Sequence, residues 1–300
     1  METLAIDREH RMKSLSQINA ILTLLDDPDP VVQTSIRSRL LELSDIAAPA
    51  LRKMSMVGES LPARRNADAI LREIGLRRFR DEMAAIIQDR PYGGDIDLER
   101  GAFAVAMLRY PEIEVQEYVQ QLDTMASLLD DRLRGCDNGY MFIREINHYL
   151  FHQLGFQGSR EDRESYFDPE NSFMNRVLER RIGIPITLSV VYLLLAQRLQ
   201  LPIYGIGFPT RYLIKYQSPG EEFYIDTFKG GTIINYSDCR QFLREINVPY
   251  RPEYLEPIGN ARTVARMLRN LAEIYRESDP ALAGELEQGI MMLVGDRDER

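Results

Sequence analysis

The sequence contains only two cysteines, Cys136 and Cys239, among its 300 residues. A secreted domain held together by disulfides needs a denser, patterned set of cysteines, so we predict that both thiols are reduced. Charged residues also interrupt the first ten positions, which argues against the apolar core of a signal peptide there. We therefore expect a cytoplasmic protein.

Long apolar runs and an excess of positive charge are missing as well. The longest uncharged stretch, residues 182–197, contains Gly183 and Pro185 and is short for a bilayer span, which favours a buried core segment. Lysine and arginine number 37 against 46 aspartates and glutamates, for a net charge of −9. Such a chain repels phosphate backbones and anionic membranes, so neither nucleic acid nor a membrane is a predicted partner.

The composition that remains is that of a folded globular protein. Apolar residues make up 44% of the chain and charged residues 28%, which excludes a disordered or fibrous protein. A chain of this length exceeds what one hydrophobic core usually serves, so we expect about two domains. The pattern along the chain predicts a mostly helical α+β protein with a small antiparallel sheet.

Helical periodicity dominates the first ninety residues. One apolar stripe is formed by Val32, Ile36, Leu40 and Leu43. Asp29 is placed to cap this helix and Pro30 to begin it. Short amphipathic helices separated by an Asp-Pro break resemble a HEAT-type repeat. Such helices either cover a core or offer a protein-binding face, and we favour the covering role.

The predicted sheet follows an apolar helix at residues 187–199. Three β-like runs come next, at residues 202–207, 211–216 and 222–228. The Pro219-Gly220 pair between the last two runs is typical of a hairpin turn. The chain then returns to helix at residues 237–246, 260–276 and 280–294.

Residues 142–231 carry a long, ordered set of matching motifs. The motifs occupy residues 147–151, 154–158, 166–181, 183–192 and 224–231. This stretch resembles the bacterial SirB-type transglutaminase-like family, a branch of the transglutaminase and papain-like cysteine-enzyme scaffold. The resemblance implies a HEAT-like helical region at residues 1–90, a transglutaminase-like core at 91–250 and a tetratricopeptide-like helical segment at 251–300.

In active members of the broader scaffold, a Cys, a His and an Asp or Asn form a catalytic triad, in which a helix N-terminus activates the thiol and the imidazole exchanges its proton. The branch that this chain resembles generally has no cysteine at the first position. At the helix start near Pro185, the only hydroxyls are those of Thr187 and Ser189. Arg211 stands where the family usually has histidine. An arginine keeps its proton at any working pH, although it can bind a carboxylate or phosphate. Asp226 matches the third position, so we expect an Arg211–Asp226 ion pair.

Other reactive residues have plainer interpretations. Cys239 lies at a helix start, which favours the thiolate form of a cysteine. It follows the sheet in the chain, however, and we interpret it as a buried residue. Cys136 lies in a turn-like segment where the scaffold places no nucleophile. His148 and His152 are four residues apart, as metal ligands can be, but no third ligand is near, so we expect half-buried or surface histidines. The remaining histidine, His10, lies in the N-terminal tail.

The polar run at residues 166–181 completes the predicted site. Under the resemblance, it borders the old active-site cleft, and the predicted binding residues are Tyr166, Asp168, Asn171, Glu179 and Arg211. Loop architecture, in which Asn171 or Ser172 caps a helix and Glu179 lies at its solvated end, is the simpler interpretation of this run. We interpret Thr187 as a helix-start hydroxyl with a local hydrogen bond.

The function hypothesis is a catalytically degenerate transglutaminase-like protein that binds a protein or peptide, with a regulatory role. No metal or cofactor is predicted. The alternative is a hydrolase or acyltransferase of unrecognised mechanism that uses Thr187, Ser189 or Cys239.

Overall fold

A computed structural model describes residues 15–160 and 162–295. These residues form two compact units. One contains the chain up to Glu82 together with Ala106–Ile113, and the other contains Met83–Val105 together with the chain from Glu114 onward. The division of the chain into three regions, with HEAT-like and tetratricopeptide-like flanks, stays a prediction.

The first unit is helical. Its helices are α1 (residues 15–22), α2 (Pro30–Glu42), α3 (Ser44–Val57) and the greater part of α4 (Leu61–Gln88). The predicted cap is confirmed, since the Asp29 carboxylate accepts a hydrogen bond from the amide of Val31 at 2.8 Å and Pro30 is the first helical residue. Ile36 and Leu40 of the predicted stripe are buried in the core of this unit.

The second unit holds most of the other helices. From Leu98 onward they are α5 (Leu98–Met107), α6 (Val115–Leu133), α7 (Gly139–Asn147), α8 (Arg163–Tyr166), α9 (Met174–Arg180), α10 (Pro185–Arg198), α11 (Tyr236–Glu245), α12 (Asn260–Tyr275) and α13 (Pro280–Val294). Single turns of tighter or wider helix occur at His148–Gln153, Pro169–Ser172, Thr227–Lys229 and Pro252–Leu255.

One antiparallel sheet lies in the second unit. Its strands are β3 (Ile203–Ile206), β4 (Leu213–Ser218), β5 (Glu221–Asp226), β6 (Thr232–Ile234) and β7 (Pro257–Ile258), in the order β6-β5-β4-β3-β7. A separate parallel pair joins β1 (Gln157–Gly158) to β2 (Ile182–Gly183). The predicted mostly helical α+β fold is confirmed.

The predicted hairpin joins β4 to β5. Ser218 pairs with Glu221 across a two-residue loop, and Gly220 has φ +84°, a conformation that glycine adopts without steric cost. The structure corrects the start of the first strand of this hairpin. Strand β4 begins two residues after Arg211, where the predicted run began. The structure also adds β6 and β7, which are three and two residues long and hence too short to show a periodic pattern.

Helix α10 is the central element of the second unit. Residues 186–196 are all buried, and the helix packs against α6, α9, α12 and strands β3 and β4. This burial confirms that the long uncharged stretch is a core segment. Within residues 15–160 and 162–295, no helix combines the length and the apolar character needed to cross a bilayer.

Candidate functional site

The first turn of α10 is the place where the scaffold's nucleophile is expected. Pro185 begins the helix, which its fixed φ and missing N–H permit. Thr187 is fully buried. Its hydroxyl donates to the carbonyl oxygen of Asn171 at 2.8 Å and accepts a hydrogen bond from the Ile184 amide at 3.1 Å. The predicted local hydrogen bond of Thr187 is therefore confirmed. This hydroxyl holds the helix start in place and does not face solvent.

Ser189, two residues further along α10, is equally buried. Its side chain is fully buried, and its hydroxyl lies 2.8 Å from that of Thr227. The Thr227 hydroxyl in turn lies 3.3 Å from the carbonyl of Pro185. These hydrogen bonds tie the start of α10 to the turn that follows β5.

A cleft of about 270 Å³ opens beside the start of α10. Its lining residues are Tyr166, Pro185, Thr210, Arg211, Asp226, Phe228 and Lys229. The fold thus brings the second and third triad positions, Arg211 and Asp226, to the first residue of the helix that would carry the nucleophile. None of the described residues that line this cleft is a cysteine or a histidine.

Arg211 and Asp226 form the expected ion pair. Nη1 of Arg211 lies 3.4 Å from Oδ2 of Asp226. The other carboxylate oxygen, Oδ1, accepts from the amides of Phe228 at 3.1 Å and Lys229 at 3.2 Å. The Asp226 side chain is 6% exposed, whereas that of Arg211 is 35% exposed. The guanidinium carbon also lies 4.0 Å from the centre of the Phe242 ring, a cation–π contact that fixes the guanidinium plane.

Tyr166 forms one wall of the cleft. Its ring meets that of Phe228 edge-on, with the ring centres 6.2 Å apart. Burial raises the pKa of Tyr166, and the positive charge of Arg266 acts in the opposite direction. The Tyr166 phenol therefore stays protonated and offers a hydrogen-bond donor at neutral pH.

The other three predicted binding residues form hydrogen bonds or ion pairs within the protein, outside the cleft lining. Asp168 caps the turn Pro169–Ser172 and pairs with Arg180 at 3.1 Å. Asn171 is buried and donates from Nδ2 to the carbonyl of Ser165 at 2.8 Å. The third residue, Glu179, accepts from the Tyr118 hydroxyl at 2.5 Å. None of the three is among the residues that line the cleft.

Sequence reasoning missed several residues of the cleft. Phe228 and Lys229 lie two and three residues after Asp226 in the same motif, and Thr210 precedes Arg211. Their closeness in sequence to the triad positions was a signal that could have identified them. Phe242 lies on α11, and no sequence signal connects it to Arg211.

The remaining cysteines and histidines lie elsewhere. Cys239 is buried, and burial raises its pKa to about 11, so its position in the first turn of α11 does not activate it. Burial also raises the pKa of Cys136. His148 and His152 are exposed, with ring centres 5.8 Å apart. Within the part of the chain that the structure describes, no group of three or more His, Cys, Asp or Glu residues is placed to hold a metal ion. His10 is outside the described residues.

Comparison with known families agrees with this geometry. A family model described as the transglutaminase-like superfamily matches residues 116–269, just over half of the chain. The chain belongs to the transglutaminase-like superfamily. The matched region runs from α6 into α12 and contains Thr187, Arg211 and Asp226.

Individual relatives cover parts of this region. A UPF0162 protein of Xylella fastidiosa strain Temecula1 is 28% identical over 184 residues, which cover 59% of this chain and 64% of the relative. A UPF0162 protein of Vibrio cholerae is 36% identical over 140 residues, covering 45% and 50% respectively. Human F-box only protein 21 is 28% identical over 160 residues, covering 44% and 25%. The chain therefore spans less than two thirds of each of these relatives. No solved structure matches the chain.

Proposed function

We propose that this protein is a catalytically degenerate member of the transglutaminase-like superfamily that binds a protein or peptide through the cleft at Arg211. One observation carries the proposal: a guanidinium is paired with Asp226 in a cleft at the start of α10. The resemblance assigns this position to the scaffold's imidazole. Because a guanidinium keeps its proton, Arg211 cannot act as a general base. It retains the ability to bind an anionic group.

The environment of the other candidate nucleophiles also supports binding over catalysis. Thr187 and Ser189 would have to leave buried hydrogen bonds before either could attack a substrate. The thiol of Cys239 is buried, and its raised pKa leaves little thiolate at neutral pH. The alternative, a hydrolase or acyltransferase that uses one of these three residues, therefore lacks an activated nucleophile.

The finer assignment of the chain belongs to the same proposal. The motifs at residues 142–231 support a place in the SirB-type branch with HEAT-like and tetratricopeptide-like helical flanks. Both cysteines are free, which is consistent with a cytoplasmic location. A protein that binds without turnover at a former active site is suited to a regulatory role.

Photo-cross-linking from the cleft tests the proposal. Thr210 is an exposed residue of the cleft lining, so a photo-reactive amino acid placed there should capture a distinct protein or peptide from cells, identified by mass spectrometry. The same amino acid at Gln120, an exposed residue of α6, serves as the control. Capture that is identical at the two positions would contradict binding through the cleft.

A parallel assay tests the alternative. The purified chain should show no turnover with a panel of acyl and amide substrates. Turnover that survives replacement of both cysteines, yet is lost in T187V or S189A with the fold intact, would overturn the degenerate assignment.

A further inference from the structure

The cleft at Arg211 differs in charge from the chain around it. Among its described lining residues, Arg211 and Lys229 are cations and Asp226 is the single carboxylate, so the charged side chains of the lining sum to one positive charge. The whole chain has a net charge of −9. A local positive field on an acidic protein concentrates an anion at that place.

One edge of the Arg211 guanidinium is available to such an anion. Nη1 donates to Asp226, whose other oxygen is already used by two backbone amides. The opposite edge, formed by Nε–H and Nη2–H, has no acceptor among the residues that the structure describes. Two parallel N–H groups match the two oxygens of a carboxylate. The ring of Phe242 holds this edge in a fixed plane.

A second guanidinium, that of Arg266 on α12, lies within electrostatic range of Tyr166. In the described part of the chain, no carboxylate pairs with Arg266. Burial lowers the pKa of Arg266, and the positive charge of Arg269 acts in the same direction. A further positive charge therefore acts on the wall of the cleft that Tyr166 forms.

The size and walls of the cleft limit what carries the anion. Its volume of about 270 Å³ is below the range of about 300–1,000 Å³ typical of sites for drug-sized ligands. A cleft of this size favours a small group, such as the end of a peptide. Three of its walls, Tyr166, Pro185 and Phe228, are apolar or aromatic. A carboxylate directly beside an apolar side chain is the chemistry of a peptide's last residue.

We infer that the cleft binds the C-terminal carboxylate of a peptide whose last residue is apolar, and that the free edge of Arg211 is the carboxylate's ligand. This inference rests on the proposed function and specifies its ligand. A single positive charge in the lining matches a monoanion. A phosphate dianion would bring a second negative charge towards Asp226.

Saturation-transfer NMR on the full chain tests the inference. The probes are a mixed set of N-acetylated tripeptides with apolar C-terminal residues, the same peptides as C-terminal amides, and amidated tripeptides with an internal glutamate. Inorganic phosphate serves as a competitor. We expect the free acids to bind and the amides to bind at least about tenfold more weakly, because a charge-assisted pair of hydrogen bonds is lost.

Variants of Arg211 identify the ligand residue. R211Q should bind the free-acid peptides more weakly by about the same factor. R211K keeps the charge without the planar fork and should show an intermediate loss of affinity. R77Q is the matched control, because Arg77 is an exposed arginine paired with Asp81 in the first unit, and it should bind as wild type does. Circular dichroism of each variant verifies the fold.

The outcomes separate this inference from the proposed function. Equal binding of acids and amides, unchanged in R211Q, would overturn the carboxylate inference and leave peptide binding in place. Preference for the internal glutamate, or displacement of the acids by phosphate at equal concentration, would overturn the assignment to a C-terminal carboxylate. Absence of binding by all three peptide sets, together with no capture from Thr210, would overturn both proposals.

Discussion

Two regions beside the cleft at Arg211 use their polar groups in different ways. At the start of α10, Thr187 is fully buried, and its hydroxyl is used by backbone groups of the chain itself. At the strand side, Arg211 is 35% exposed, and one edge of its guanidinium is unused by the described residues.

This difference indicates that the polar groups at the start of α10 have a structural role. A buried hydroxyl with satisfied hydrogen bonds contributes to folding and has nothing left to offer a ligand. Arg211 is partly exposed and is oriented by a buried carboxylate and an aromatic ring, and we propose that it binds a ligand. We therefore expect changes at the helix side to alter stability, and changes at Arg211 to alter binding.

The largest expected effect on stability is at the helix side. T187V keeps the shape of the side chain but leaves the amide of Ile184 and the carbonyl of Asn171 without their hydroxyl partner. Two buried unpaired groups should cost about 3 kcal/mol in the free energy of unfolding, measured by urea denaturation. T232V is the control, since the exposed Thr232 hydroxyl donates only to the Lys229 carbonyl. Equal losses in the two variants would remove the distinction between the two regions.

Asp226 belongs to both regions, because it caps a turn and orients Arg211. D226A removes the acceptor of two backbone amides as well as the ion pair, and should cost about 2 kcal/mol. D226N keeps an amide oxygen for the turn and should cost about 1 kcal/mol, because the pair with a partly exposed arginine is weak. Urea denaturation distinguishes the two variants, and an identical loss would show that the ion pair outweighs the cap.

A second helix start, that of α11, sharpens the comparison through its pH dependence. Burial raises the pKa of Cys239 to about 11, above the value of about 8.5 for a free thiol. The folded state therefore holds this proton to higher pH than the unfolded state. The resulting stability is complete below about pH 8.5 and is lost as the pH rises towards the folded pKa.

The measurement compares unfolding free energies of wild type and C239A between neutral pH and pH 11. Wild type should lose up to about 2 kcal/mol more than C239A over this range. C136A is the control and should keep the slope of wild type more closely. A Cys239 that alkylates faster than Cys136 at pH 7 would contradict a buried, unactivated thiol and would favour the enzyme alternative.

The smallest expected effect on stability is at Arg211. R211Q removes a long ion pair and a cation–π contact, both partly exposed, and should cost less than about 1 kcal/mol. Its main effect should be on ligand binding. A loss of stability as large as that of T187V would show that Arg211 is structural, and the comparison between the two regions would fail.

Local signals in the sequence were sufficient for much of the fold. Asp29 and Pro30 mark a helix start, Pro219 and Gly220 mark a hairpin turn, and α13 has the predicted bounds, Pro280–Val294. Each of these features depends on backbone preferences of residues next to one another. Strands β6 and β7 were missed because strands of three and two residues form only when a neighbouring strand is already in place.

The candidate site could be predicted only where the family motif extends. The Arg211–Asp226 pair was expected from the triad positions and is present at 3.4 Å. The contribution of Phe242 could not be expected, because it lies thirty-one positions after Arg211 on a different helix. Asp168, Asn171 and Glu179 were expected at the cleft, but Asp168 and Asn171 stabilise the neighbouring loop and Glu179 joins α9 to α6.

The side-chain chemistry that this protein has at the expected triad positions followed from the sequence alone. Arg211 stands at the position expected for histidine, so no imidazole is available there. This limit follows from side-chain identity, which folding does not change. The burial of Thr187, and the edge of Arg211 that none of the described residues uses, became visible only in the folded structure. Burial and hydrogen bonding depend on neighbours that are distant in the chain, so no local pattern reports them.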